Sequence, residues 1–116
     1  MITAFLTSDE HPRIYRAVQS EADAISRIKT SKVVRFPLAA AEADGSLEAI
    51  FAVTNGVATT TEQREAEIAY RADGQTRSLS VGDIVDVPGH GLFACDPCGW
   101  RPLTHTLTGM TAHFAL

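Results

Sequence analysis

From Arg77 onward, turn signals recur every five to eight residues, and that rhythm constrains the chain more than any other feature. Segments this short cannot make helices of ordinary length, so the spacing predicts an antiparallel meander with strands near 79–80, 84–87, 92–95 and 100–105. The meander opens on Arg77-Ser78-Leu79-Ser80-Val81-Gly82-Asp83-Ile84-Val85-Asp86-Val87, where hydroxyls alternate with apolar residues up to a Gly-Asp pair. Gly82 is expected to take a backbone conformation that other residues resist, and Asp83 to accept backbone N–H groups across the turn. Both read as structural turn residues. Ser78 and Ser80 are placed on the polar face of the first short strand, and Arg77 is read as exposed, suited to solvation or to an acidic group on a partner.

The N-terminal half reads less uniformly. Ile2–Leu6 predicts a strand ending in a polar turn at Thr7-Ser8-Asp9-Glu10. Beyond it, Pro12 could open a helix carrying Ile14, Val18, Ala22 and Ile25, yet Ser20-Glu21-Ala22-Asp23 is itself a capping-box-like start. Lys32–Ala40 has strand composition, but Pro37 confines it to an edge. The stretch 46–56 offers both a helix and an Asn-Gly hairpin, and the helix is preferred: Ser46 as N-cap, Leu47, Ile50, Phe51 and Thr54 on one face, and Asn55-Gly56 as the stop. Val57–Glu67 is poor in apolar residues and reads as a flexible surface connection, followed by a short strand at Ile68-Ala69-Tyr70. In the last segment Met110, Ala112, Phe114 and Leu116 alternate with smaller or polar residues, as in a strand with one buried face.

A chain of 116 residues fits one domain with its own core. At 45% hydrophobic and 21% charged it has an ordinary globular composition, and no apolar run approaches the roughly 20 residues of a membrane span. The apolar start at Met1–Leu6 has no basic region before it and is followed by Asp9 and Glu10, so a cytoplasmic location is expected. Two cysteines without a secretion signal are expected to be reduced. The net charge of −4 conceals an asymmetry: residues 1–37 carry six Lys/Arg against four Asp/Glu, and residues 38–73 carry two against seven.

Few residues suggest chemistry. Cys95 and Cys98 have a spacing that could serve one zinc ion, with His90, His105 and His113 as further ligands, but no second CxxC completes a site. The bland alternative makes Cys95 a small core residue and Cys98 a turn residue. Ser80, Asp83 and His90 could be drawn as a hydrolytic triad, yet no strained nucleophile turn supports it. No phosphate-binding loop, dinucleotide fingerprint or paired-carboxylate motif is present, so no catalytic residue and no cofactor is assigned. Trp100 either completes the core or sits at a binding surface.

Three blocks in order over 47–103, namely Leu47-Glu48-x-Ile50-Phe51-x-x-Thr54-Asn55, then Arg77–Val85, then Cys95-x-Pro97-x-Gly99-Trp100-x-x-Leu103, resemble the YodL-like family of small uncharacterised proteins from plasmids, conjugative elements and phages. The resemblance implies a mobile-element accessory role and transfers no activity. It departs from the family pattern at Val57–Glu67, where relatives carry a proline- and tryptophan-bearing segment, and the second cysteine does not recur in the family.

The expectation is therefore an α+β single domain over 1–116, an antiparallel, partly curled sheet with one or two packed helices. Its function is expected to be non-enzymatic binding of a host or defence-system protein, with Arg77, Trp100, Glu62, Glu65 and Glu67 as candidate binding residues. Carboxylates can steer association with a partner that otherwise meets nucleic acid. The alternatives are a nucleic-acid-binding module using Arg27, Lys29, Lys32 and Arg35, and a small zinc-stabilised domain.

Overall fold

Short β-rich segments, the central ones buried on both faces, assemble into one open antiparallel sheet, giving the α+β fold expected. A computed structural model describes residues 1–39, 42–72, 74 and 77–103. The strands are β1 (Ile2–Leu6), β2 (Lys32–Phe36), β3 (Ile84–Val87), β4 (Gly91–Asp96) and β5 (Gly99–Pro102), and the helices are α1 (Glu21–Thr30), α2 (Ala43–Thr54) and α3 (Thr61–Ala72). The sheet order is β2-β1-β3-β4-β5, every neighbouring pair being antiparallel. The N-terminal strand thus lies between β2 and β3, joining the two halves of the chain.

Strand periodicity sends successive side chains to opposite faces. Ile2, Ala4 and Leu6 of β1 point to one face with Val34, Phe36, Val85 and Val87, where Leu47, Ile50 and Val53 of α2 and Ala66 and Tyr70 of α3 cover them. Phe5, Ile84, Leu92 and Ala94 point to the other, against Ala24 and Ile28 of α1. The result is three layers, with α2 and α3 on one side of the sheet and α1 on the other. The β2 edge ends at Phe36, before Pro37, as a strand that cannot continue its ladder through proline should.

α1 begins where the capping-box reading placed it, not at Pro12: Ser20 is the N-cap, and its hydroxyl accepts the Asp23 N–H at 3.1 Å. The N-cap of α2 is Glu42, four residues before the expected Ser46, which is instead a buried residue of its first turns. The larger correction is α3. Of the segment read as a flexible connection followed by a strand at Ile68-Ala69-Tyr70, only 57–60 connect; from Thr61 to Ala72 it is one helix of 12 residues. Its apolar residues are few, but Ala66 and Tyr70 are four apart and suffice for one narrow buried stripe, completed by stacking of Tyr70 on Phe36 at 5.4 Å. Three helices therefore pack on the sheet, where one or two were expected. Residues 79–80 do not form a strand, and the expected strand at 110–116 lies outside the described residues.

Candidate functional site

The stretch that opens the meander closes on itself. Gly82 has φ +96 and Asp83 is 1% exposed at the start of β3. The Asp83 carboxylate accepts four hydrogen bonds: Thr7 N–H at 2.8 Å and Arg77 Nη2 at 2.9 Å on one oxygen, Arg77 Nη1 and Ser80 N–H, each at 2.8 Å, on the other. Arg77 also donates to the carbonyls of Thr7 at 3.2 Å and Ser78 at 3.1 Å, while Tyr70 donates its hydroxyl to the Arg77 carbonyl. The hydrogen bond to Asp83, working against burial, raises the Arg77 pKa, so the guanidinium stays charged. The expectation of an exposed Arg77 is thus corrected. The fork is spent tying the end of β1, the 77–80 segment and the turn together, and its side chain is 24% exposed.

A second arginine lies beneath the same turn. Arg27, one of the four cations of the basic stretch, is 1% exposed, so that stretch does not present it to a nucleic acid. Its Nε donates to Asp23 at 3.0 Å and its Nη1 to the Gly82 carbonyl at 3.3 Å, an acceptor shared with the Thr7 hydroxyl at 3.0 Å. Burial works to raise the Asp23 carboxyl. The Arg27 hydrogen bond, the Gln19 N–H and the nearby charges of Arg27 and Arg13 outweigh it and hold the carboxyl below its ordinary value. The i, i+4 spacing of Asp23 and Arg27 was the readable signal for this pair.

The other sequence candidates are scattered. Ser80 meets Asp83 through its backbone alone, its N–H donating to the carboxylate and its carbonyl accepting the Asp83 N–H at 3.0 Å, and His90 is exposed in the turn between β3 and β4, at the opposite end of β4 from Cys95. By strand rise, His90 and Cys95 are roughly 15 Å apart. Cys95 is half-buried on β4, and burial, then the carboxylates of Asp83 and Asp96, push its thiol up to about 11. Cys98 is exposed in the β4–β5 turn, and His105 and His113 lie outside the described residues. Among the described residues no cluster of three or more His, Cys, Asp or Glu could hold a metal ion. Trp100 is half-buried on β5, opposite Cys95, and packs against the larger core cluster.

Glu62 and Glu65 stand exposed on α3, and Glu67 is half-exposed. Reasoning from sequence missed what lies beside this acidic layer. Phe51, assigned to the buried face of α2, is 45% exposed, and Ile68 of α3 is 69% exposed. Along α2, Asp44, Glu48, Phe51 and Asn55 follow i, i+4, i+7, i+11 spacing, one exposed row; Glu65 and Ile68 share a row on α3. A helical wheel drawn over the right boundaries would have found them. No described helix is long and apolar enough to cross a membrane. Comparison of the chain with family models, curated proteins and solved structures finds no match.

Proposed function

We propose that the chain is a non-enzymatic protein-binding module, an accessory factor of a mobile genetic element that engages a host or defence protein through the outer face of α2 and α3. The observation that carries the reading is the pair of large apolar side chains, Phe51 and Ile68, left exposed among carboxylates. Aromatic and aliphatic anchors inside a charged rim are the composition of binding hot spots. The helices at residues 42–72 carry Glu42, Asp44, Glu48, Glu62, Glu65 and Glu67 against Arg64 and Arg71, so approach of a basic partner is electrostatically steered. The likeness of three sequence blocks to the YodL-like group supports the mobile-element setting. Arg77, whose Nη1 and Nη2 are both engaged within the fold, is left out of this interface.

The experiment compares wild type with Phe51→Ser/Ile68→Ser and with Glu48→Gln/Glu65→Gln as baits in host lysate, with melting curves of each. A host protein retained stoichiometrically by wild type, lost from the apolar variant and weakened in the charge variant, at unchanged melting temperature, is the expected result. Equal retention by all three sinks the reading. So does duplex DNA binding that falls steeply with salt and disappears on neutralising Lys29 and Lys32.

A further inference from the structure

We propose that the cleft between the N-terminal turns of α2 and α3 receives the guanidinium group of an arginine side chain, presented by the protein partner. This rests on the protein-binding reading and names the chemistry of one contact within it. The cleft has a volume of about 260 Å³, with Leu38, Ala39 and Ala49 as its apolar wall and Glu42, Ser46 and Glu62 among its polar groups.

One polar atom at the cleft lining, the Ser46 hydroxyl, is unsatisfied. Ser46 is 5% exposed, lines the cleft, and its Oγ has no hydrogen-bond partner. A buried hydroxyl left this way costs free energy until something enters to meet it. The two carboxylates are held in place without being used up. One oxygen of Glu62 accepts the Ala39 N–H at 3.1 Å, which anchors the side chain and leaves the second oxygen available. Glu42 occupies the N-cap of α2 but makes no side-chain cap bond. Its carboxylate instead folds over Gly45, where a Cβ would lie 3.4 Å from Glu42 Cγ and Oε1. Thr60 and Gln63 are already engaged in capping α3 and in binding Thr59.

Charge selects a cation. Two carboxylates face two helix N-termini worth about half a positive charge each, which leaves roughly one negative charge to be met. Among the described residues no group of three or more His, Cys, Asp or Glu could hold a metal ion, so a divalent cation here would keep most of its shell as water. A guanidinium suits acceptors spread around a slot better than an ammonium, because its five donors lie in a planar fork, and the apolar wall accommodates its methylene stem.

The test is titration of the full chain with the blocked tripeptide acetyl-Gly-Arg-Gly-amide, followed by amide NMR, with citrulline replacing arginine as the neutral control. Saturable shifts at Ala39, Ser46 and Ala49 with arginine, absent with citrulline and about tenfold weaker in Ser46→Ala and Glu42→Gln, are expected. Neither variant removes the Glu62 anchor, so Glu42→Gln should melt with wild type, and Ser46→Ala, which deletes an unsatisfied buried hydroxyl within a helix, should melt no lower than wild type. Absent shifts, equal shifts with citrulline, or affinity unchanged in both variants would overturn the proposal. The parent reading is judged by the Phe51 and Ile68 variants. Host capture lost there while the cleft ignores arginine overturns the cleft alone, whereas arginine binding with host capture equal in all baits overturns the interface alone.

Discussion

Two arginine–aspartate pairs converge on the Gly82-Asp83 turn, and they are built differently. Arg77–Asp83 joins residues six apart through two parallel bonds, and every remaining lone pair direction of the carboxylate is filled by a backbone N–H. Arg27–Asp23 lies along one turn of α1, is held through a single Nε bond, and leaves Arg27 Nη2 buried without a partner. Fully satisfied buried ions hold a structure in one geometry, while half-satisfied ones return little for their desolvation. The contrast teaches that burial alone is a poor guide to importance: the more exposed arginine is the stronger tie.

The widest gap between the pairs should appear on removing Asp83. Asp83→Ala orphans two backbone N–H groups and an arginine fork at once, with an expected cost of about 3–5 kcal/mol in urea unfolding. Gly82→Val comes next. Its Cβ would lie 2.1 Å from Arg27 Nη1 and 2.5 Å from the Arg16 carbonyl, at φ +96, so a loss of about 2–4 kcal/mol is expected from crowding and strain together. Because the backbone carbonyl cannot move away as a side chain can, shortening Arg27 should rescue only part of that loss in a double-mutant cycle.

Arg77→Ala should cost about 2–3 kcal/mol, less than loss of Asp83 because water can reach the vacated space while the two N–H bonds to Asp83 persist. Arg77→Lys, which keeps charge but not the fork, should recover less than half. If both Arg77 variants melt with wild type, the comparison of the two pairs collapses. The smallest effect is expected at Arg27→Met, a loss of about 1–2 kcal/mol, since the apolar chain fills the space and removes the unpartnered Nη2 while Asp23 keeps its carboxylate buried with the Gln19 N–H as that carboxylate's remaining partner.

Acid sharpens the same comparison. Asp23 has a lowered folded pKa, so its contribution is present above the unfolded value near 3.8 and is lost as pH falls through the folded pKa. Removing Arg27 takes away the largest of the influences that lower it. Acid unfolding of Arg27→Met, followed by circular dichroism, should therefore begin at higher pH than in wild type, and an unshifted acid limb would show that the Gln19 N–H and the Arg13 charge suffice to hold the Asp23 carboxyl down.

Much of the local structure was legible. Ile2–Leu6 and 84–87 were read with their true bounds, because a short apolar, β-prone run closed off by turn signals leaves a strand little room to extend. Ser20 and Asp23 announced α1, Pro37 the edge of β2, and Gly82 and Asp83 their roles in the corner. α3 was illegible by apolar content, because Ala66 and Tyr70 make a stripe only once Phe36 and the sheet stand beneath them. Arg77 and Arg27 were misjudged for a related reason. A charged residue looks exposed until its partners are known, and the Thr7 carbonyl that Arg77 binds lies 70 residues away in the chain.

What the amino-acid order determined by itself is therefore everything written in short range: turn chemistry, caps, strand alternation and the i, i+4 pairing of Asp23 with Arg27, all settled among residues within a few positions of one another. Tertiary structure alone decided which cations disappear inside, which of Phe51 and Tyr70 meets solvent, and that Glu42, Ser46 and Glu62 border one cleft. Those outcomes depend on contacts between segments distant in sequence, where a side chain's environment is the sum of surfaces the chain brings together only on folding.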